Sequence, residues 1–200
     1  MEWNSLLAFN FVLLAALASP GAAMLYCIKT SVSAGRIAGI ATGIGLGVAA
    51  SLWTLAALLG LESIFTLFPW TYTFLKLAGA AYLLWIAIQT WRHAKEPLGD
   101  APTPKGRAFL SGLLVNAGNP KSMLFAAAVI VVVFPQGLSA SEIGLIVANH
   151  LALEVVFYST LAVILSSAPA RRKYLSAKPL LDRIAACLLG ALGLRLLIER

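Results

Sequence analysis

His150, Glu154 and Tyr158 stand four residues apart in an otherwise apolar run, Ile143–Leu165. That spacing lines them along one face of a helix. Glu154 falls about 11 residues into the run, near its middle. A charge that deep in a bilayer costs roughly 2.5–3.5 kcal/mol, and ionisable side chains kept there mark ion or substrate paths. A carboxyl so placed is a candidate proton carrier, or a partner for a substrate ammonium. A structural hydrogen bond to a neighbouring helix is the plainer alternative. His150 suits a proton relay and a buried hydrogen bond equally well. Tyr158 completes the face as a candidate substrate contact.

A second pattern involves two prolines, a hundred positions apart. Ser19-Pro20-Gly21 and Asn119-Pro120-Lys121 each interrupt an apolar stretch. Ser or Asn at the N-cap with Pro at the first helical position is how a helix begins. Here both beginnings fall inside segments long enough to be membrane spans, the mark of broken helices near the bilayer midplane. Pro20 lies 14 residues after Leu6, about 21 Å along a helix, inside a core about 30 Å thick. A helix restarting there aims its free amides inward with roughly +0.5 of a charge. Lys121 adds a full positive charge. Ser19, Pro20, Gly21, Asn119, Pro120 and Lys121 are therefore candidates for holding a carboxylate, with Glu154 for an amine. An ordinary proline kink, its freed carbonyl bonded by a neighbour, remains the alternative.

The elements that must position these residues are read from composition. Of 200 residues, 60% are hydrophobic and 12% charged. Spans of roughly 20 apolar residues are membrane helices, and six are counted: Leu6–Ile28, Ile37–Leu61, Trp70–Trp91, Phe109–Phe134, Ile143–Leu165 and Leu180–Ile198. The runs are too continuously apolar for a membrane barrel. Ala16-Leu17-Ala18 resembles a cleavage site, but Met1–Ser5 carries Glu2 and no basic residue, so the first span is expected to be retained. The formal charge of +7 gathers on the first, third and fifth connections, with Arg195 and Arg200 alone on the other side. The positive-inside rule makes the rich side cytoplasmic, with both termini periplasmic. Arg92–Arg107 and Ala170–Pro179 are then cytoplasmic loops. The charge is thus topological, with attraction of Arg171-Arg172-Lys173 to anionic lipids as a lesser reading, and no nucleic-acid partner is expected.

Arg92–Arg107 holds Pro97, Gly99, Pro102 and Pro104 and reads as a linker. It divides the chain into a repeat over 1–91, a linker over 92–107 and a repeat over 108–200. Three spans per half force opposite insertion, so the repeats are inverted. The fold class expected is an all-α integral membrane protein of six transmembrane helices, two inverted three-helix repeats, with the first and fourth helices broken at proline. Gly43, Gly47 and Ser51 find small counterparts in Gly144, Ala148 and Ala152. Gly35, Gly39, Gly43 and Gly47 recur on one face, a close-packing surface for another helix; a sliding contact between the halves is the sharper reading. Asn10 and Asn116 are expected to bridge helices. Lys76 is an anchor or a substrate contact. Cys27 and Cys187 lack any metal or redox spacing and read as packing residues. No enzyme, cofactor or metal site is expected.

These motifs resemble the LysE/RhtB family of amino-acid exporters. The likeness rests on Ser19-Pro20-Gly21, on Gly35-Arg36-Ile37-Ala38-Gly39 with Gly43 and Gly47, on Lys76-Leu77-Ala78-Gly79-Ala80-Ala81-Tyr82-Leu83, and on Asn119-Pro120-Lys121 within Phe109–Phe125. It implies a carrier in the bacterial inner membrane that exports a small amino acid or related metabolite against proton entry. Its partners would be that solute, protons and membrane lipids; a homodimer stays open. Many relatives continue Pro-Gly with a second Pro and an acidic or amide residue. This chain has Ala22 and Ala23, which leaves Glu154 to receive an amine or points to a different substrate. A divalent metal-cation exporter of the same superfamily and a non-transporting scaffold are the competing readings.

Overall fold

The computed structural model describes residues 3–18, 21–68, 70–96, 107–135 and 137–198. Its described residues form eight α-helices and no strand: α1 (Trp3–Ala18), α2 (Ala22–Ser33), α3 (Gly35–Leu67), α4 (Trp70–Arg92), α5 (Ala108–Ala117), α6 (Pro120–Val133), α7 (Ala140–Leu165) and α8 (Ala168–Ile198). By length and composition Gly35–Gly60 and Ala140–Leu165, 26 residues each, can cross a membrane. At ~1.5 Å per residue such a helix exceeds a hydrocarbon core of about 30 Å. Each of two bent pairs would add one span. The axis turns by 60° between α1 and α2, and by 61° between α5 and Lys121–Ile130 of α6.

Local sequence sets the boundaries. Gly35 takes φ +84°, a conformation other residues adopt at a cost, so α3 can leave at a sharp angle from the end of α2. Ser139 and Glu142 form a reciprocal capping box that starts α7, each satisfying an amide the helix leaves unpaired. Asn119 caps α6, its side chain accepting from the Lys121 amide, with Pro120 at the first turn.

Helix α3 is packed against both α5 and α7, and α4 against α8. Small residues make the first contacts close. A Cβ on Gly45 would strike the Phe109 carbonyl oxygen, and one on Gly112 the Thr42 carbonyl oxygen. Asn116 reaches across the same seam, its Nδ2 donating to the Leu46 carbonyl at 2.7 Å. Asn10 and Asn149 pair reciprocally between α1 and α7, at 2.6 and 3.4 Å. Both asparagines thus bridge helices. Phe9, Leu13, Leu46, Val129, Ile146 and Leu189 are among the fully enclosed side chains.

One expected loop is helical. Ala170–Pro179 belongs to α8, which runs through Pro179. The cause lies in Lys178. Its Nζ donates to Asp182 Oδ2 at 2.8 Å, one turn on, and to the Ala94 and His93 carbonyls at 3.2 and 3.4 Å. Lys178 and Asp182 are 7% and 2% exposed. Lys178, expected within a cytoplasmic loop, is instead a buried clamp between α8 and the end of α4. Of the two cysteines, Cys27 is buried, whereas Cys187 is exposed on α8 and packs no core.

Candidate functional site

A cavity of about 460 Å³, its mouth included, is lined from both bends and from α7. Helices α1 and α2 contribute Leu13, Ala16, Leu17, Gly21, Ala23 and Met24. Helix α6 and its cap contribute Asn119, Lys121, Ser122 and Phe125, α3 contributes Ala50, and α7 contributes His150, Glu154 and Tyr158. Six candidates from the sequence therefore line one cavity: Gly21, Asn119, Lys121, His150, Glu154 and Tyr158. Ser19 and Pro20 lie outside the described residues, as do the side chains of Pro120 and Lys76.

The two helix starts at this cavity are not alike. At α6, Asn119 Oδ1 accepts the Lys121 amide at 3.1 Å, and the Asn119 carbonyl accepts from the Ser122 and Met123 amides. Asn119 Nδ2 donates to Asn116 Oδ1 at 3.1 Å, which Ser122 Oγ also reaches at 2.5 Å. Asn119 is thus spent on its own bend, and the amides it serves are no longer free for a ligand. At α2 the N-cap is Gly21, in extended backbone, and no side chain caps it among the described residues. Its first amides keep the unsatisfied character of a helix start. Lys121 is beside them: a Cβ built on Gly21 would lie 3.6 Å from Lys121 Nζ. Nζ donates to the Ala16 carbonyl in the last turn of α1 at 3.1 Å, where the helix end favours a cation. One ammonium therefore ties α6 to the end of α1 and faces the start of α2.

The opposite wall is the α7 face. Tyr158, Glu154 and His150 are 4%, 4% and 2% exposed. The glycine row brings α3 against that face: a Cβ on Gly39 would meet Ala162 Cβ at 2.9 Å, on Gly43 Tyr158 Cβ at 2.6 Å, and on Gly47 Glu154 Cβ at 2.9 Å. The row is an intramolecular helix contact, and it sets the depth of Glu154 and Tyr158. His150 Nδ1 lies 2.7 Å from Thr54 Oγ1, and Nε2 3.4 Å from Glu154 Oε1. Glu154 Oε2 is buried and has no hydrogen-bond partner among the described residues. Such a group is costly unless something pairs with it. Lys121 acts electrostatically on both Glu154 and Asp182.

A family model for LysE type translocators matches residues 14–200. The chain belongs to the LysE family. It is 28% identical over 201 residues to a threonine efflux protein of Escherichia coli K12, covering 97% of this chain and 98% of that one. A threonine efflux protein of Salmonella typhi is 30% identical over 192 residues, covering 92% and 93%. A homoserine/homoserine lactone efflux protein of Salmonella typhimurium is 35% identical over 128 residues, covering 59% and 57%. No solved structure matches the chain.

Several residues of this LysE protein's cavity region escaped the sequence reading. Thr54 is fully buried and continues the face of the glycine row, so a polar residue at the end of a small-residue stripe was the available signal. Ser122 follows Asn116 and Asn119, both already singled out, at the same spacing of three across the second bend, a pattern that foreshadows its place in their network. Met24 and Phe125 are apolar wall, which nothing distinguishes from other span residues. Ala23 lines the cavity without a polar group; the polar side chains of the lining are Asn119, Lys121, Ser122, His150, Glu154 and Tyr158.

Proposed function

We propose that this LysE protein is a secondary exporter of a small amino acid or closely related metabolite, working across the bacterial inner membrane by proton antiport. One observation carries the reading. A single cavity presents the Lys121 ammonium beside the start of α2, which no side chain caps among the described residues, and the buried Glu154 Oε2 on α7, which has no hydrogen-bond partner among them. Those are the two poles that a zwitterion needs. The carboxylate meets Lys121 and the α2 amides; the ammonium meets Glu154; Tyr158 closes the wall between them. The relatives' names, threonine efflux and homoserine/homoserine lactone efflux, support a small solute of this kind.

In this reading six spans cross the bilayer: α1 with α2, α3, α4, α5 with α6, α7 and α8. They form inverted repeats over 1–91 and 108–200, joined by the linker 92–107. The first and fourth spans are broken at Pro20 and Pro120, and the site lies between the breaks, as in carriers of repeated, discontinuous helices. A proton and the substrate ammonium compete for Glu154, which gives antiport: a proton loads from outside, the ammonium displaces it inward, and the solute leaves. A divalent-cation exporter needs clustered ligands. Among the described residues no three His, Cys, Asp or Glu side chains gather, so the amino-acid reading is preferred. A scaffold would leave a buried carboxylate oxygen without purpose.

The test is Glu154→Gln, which keeps shape and hydrogen bonding but removes titration. In vesicles with an imposed pH gradient it is expected to abolish proton-driven export of threonine or homoserine, with insertion and folding intact. A variant that exports as well as the parent would make Glu154 structural.

A further inference from the structure

We propose that Thr54 on α3 is the positioning residue of the coupling pair, turning its hydroxyl between donor and acceptor as His150 and Glu154 together gain and lose one proton. The inference rests on the reading of Glu154 and His150 as the coupling groups. It adds a residue from the other half of the chain and a chemical reason for its presence.

The geometry leaves little freedom. Both ring nitrogens of His150 are engaged, Nδ1 with Thr54 Oγ1 at 2.7 Å and Nε2 with Glu154 Oε1 at 3.4 Å. The edge-on ring of Phe9, 5.5 Å away at 74°, holds the imidazole from a third side. All three polar side chains are nearly inaccessible. A neutral imidazole has one donor and one acceptor, an imidazolium has two donors, and a hydroxyl can serve as either partner. In the unloaded pair the carboxylate accepts from Nε2–H, and bare Nδ1 accepts from the Thr54 hydroxyl. In the loaded pair Nδ1 carries a proton and donates to Oγ1, and one proton is shared between Nε2 and Oε1. The Thr54 hydroxyl then turns to the Ala50 carbonyl one turn back, a bond available to helical threonines. The change is the gain of one proton from the outer aqueous phase and its later loss to the inner one, with no other covalent bond altered.

The surroundings of the pair are few. Helix α6 brings Lys121, which lines the same cavity and acts electrostatically on Glu154. Helix α7 itself brings Tyr158, and α2 brings Cys27, whose thiol is at the Tyr158 carbonyl, 3.8 Å away. Helix α1 brings Phe9 and Asn10, the latter paired to Asn149, and α8 brings Asp182, which interacts electrostatically with Lys121. Against Nδ1 itself α3 places Thr54. Valine there keeps the shape and removes both hydrogen-bonding roles. The loaded pair loses more, because the bond from a cationic N–H is stronger than the bond to a neutral ring nitrogen. Thr54→Val must therefore load at lower pH.

The chain has two histidines, and His93 is exposed at the end of α4. With His93→Gln, ¹⁵N-histidine labelling of the full-length protein in nanodiscs reports His150 alone. On acidification Nδ1 is expected to change from bare to protonated. In Thr54→Val that midpoint falls by about one pH unit, and the pH midpoint of export in vesicles falls with it; Thr54→Ser follows the parent. Coincident midpoints in Thr54→Val and parent overturn the proposal. If the valine variant does not fold, an Nδ1 in the parent that stays protonated at high pH overturns it instead. A midpoint that shifts in Thr54→Val, in a protein whose export no pH gradient drives, supports the positioning role and sinks the antiport reading.

Discussion

Lys178 and Asp182 show how one side chain can do the work of several loop contacts. Their 2.8 Å pair is buried, and the same ammonium bonds two carbonyls at the end of α4. Those carbonyls lie in the turn just past α4, where that of His93 also accepts the Glu96 amide at 3.0 Å. Asp182 Oδ1 has no partner among the described residues. Removing one charge of a buried pair costs about 3–5 kcal/mol, whereas replacing both with apolar groups is often nearly neutral. Asp182→Ala is thus expected to lower the thermal unfolding midpoint of the detergent-solubilised protein strongly. Its loss should sit at the lower end of that range, because Lys178 keeps its carbonyl acceptors. The double variant Lys178→Met/Asp182→Leu should recover most of the loss. Equal losses in the single and double variants would mean that the carbonyl bonds, not the ion pair, hold α8 to α4.

Between elements, backbone approach decides what side chains can reach. Gly43 lets Tyr158 press on α3, while Gly60 has nothing within 4 Å of where a Cβ would stand. Gly43→Leu must separate α3 from α7; overpacking of this kind costs about 1–3 kcal/mol. It would also shift Glu154 from the cavity wall. Gly60→Ala, in the same helix, removes only backbone freedom and should be neutral or raise stability by up to about 1 kcal/mol. Thermal melts of the two variants check the contrast, and Gly43→Leu should lose export as well. The glycine row and the start of α6 were legible because their information is local: a repeat of four, and Asn119 as a cap followed by Pro120. The register that opposes Gly39, Gly43 and Gly47 to Ala162, Tyr158 and Glu154 was not legible, since it joins residues more than a hundred positions apart. For the same reason Thr54 looked like an ordinary span residue until α7 was placed beside it. Lys178 was misread because it follows Arg171-Arg172-Lys173, where solvated charge is the natural expectation, and only the end of α4 reveals its burial.

At the scale of the whole molecule, the outer surface carries large apolar side chains, Phe11, Ile37, Leu52, Leu59, Val156 and Leu194 among them. Exposure of that extent suits lipid rather than water. Within a bilayer, orientation follows from where Lys and Arg lie near the span ends. Arg92, Lys95, Arg172 and Lys173 are all exposed and, with six spans, fall on one side. Burial of Lys178 removes a single charge from that set and leaves the asymmetry intact. The side bearing these residues is therefore expected to be cytoplasmic, and the start of α7 periplasmic. In a background with Cys27 and Cys187 replaced by serine, single cysteines at Gly99, Ser176 and Ala140 sample the linker, the first half of α8 and the start of α7. A membrane-impermeant maleimide applied to intact cells should label Ala140→Cys and leave Gly99→Cys and Ser176→Cys untouched until the membrane is permeabilised. Labelling of Gly99→Cys or Ser176→Cys from outside would reject the topology. The coupling itself would survive, because a proton and an ammonium that compete for one carboxylate move in opposite directions whichever way the chain is inserted.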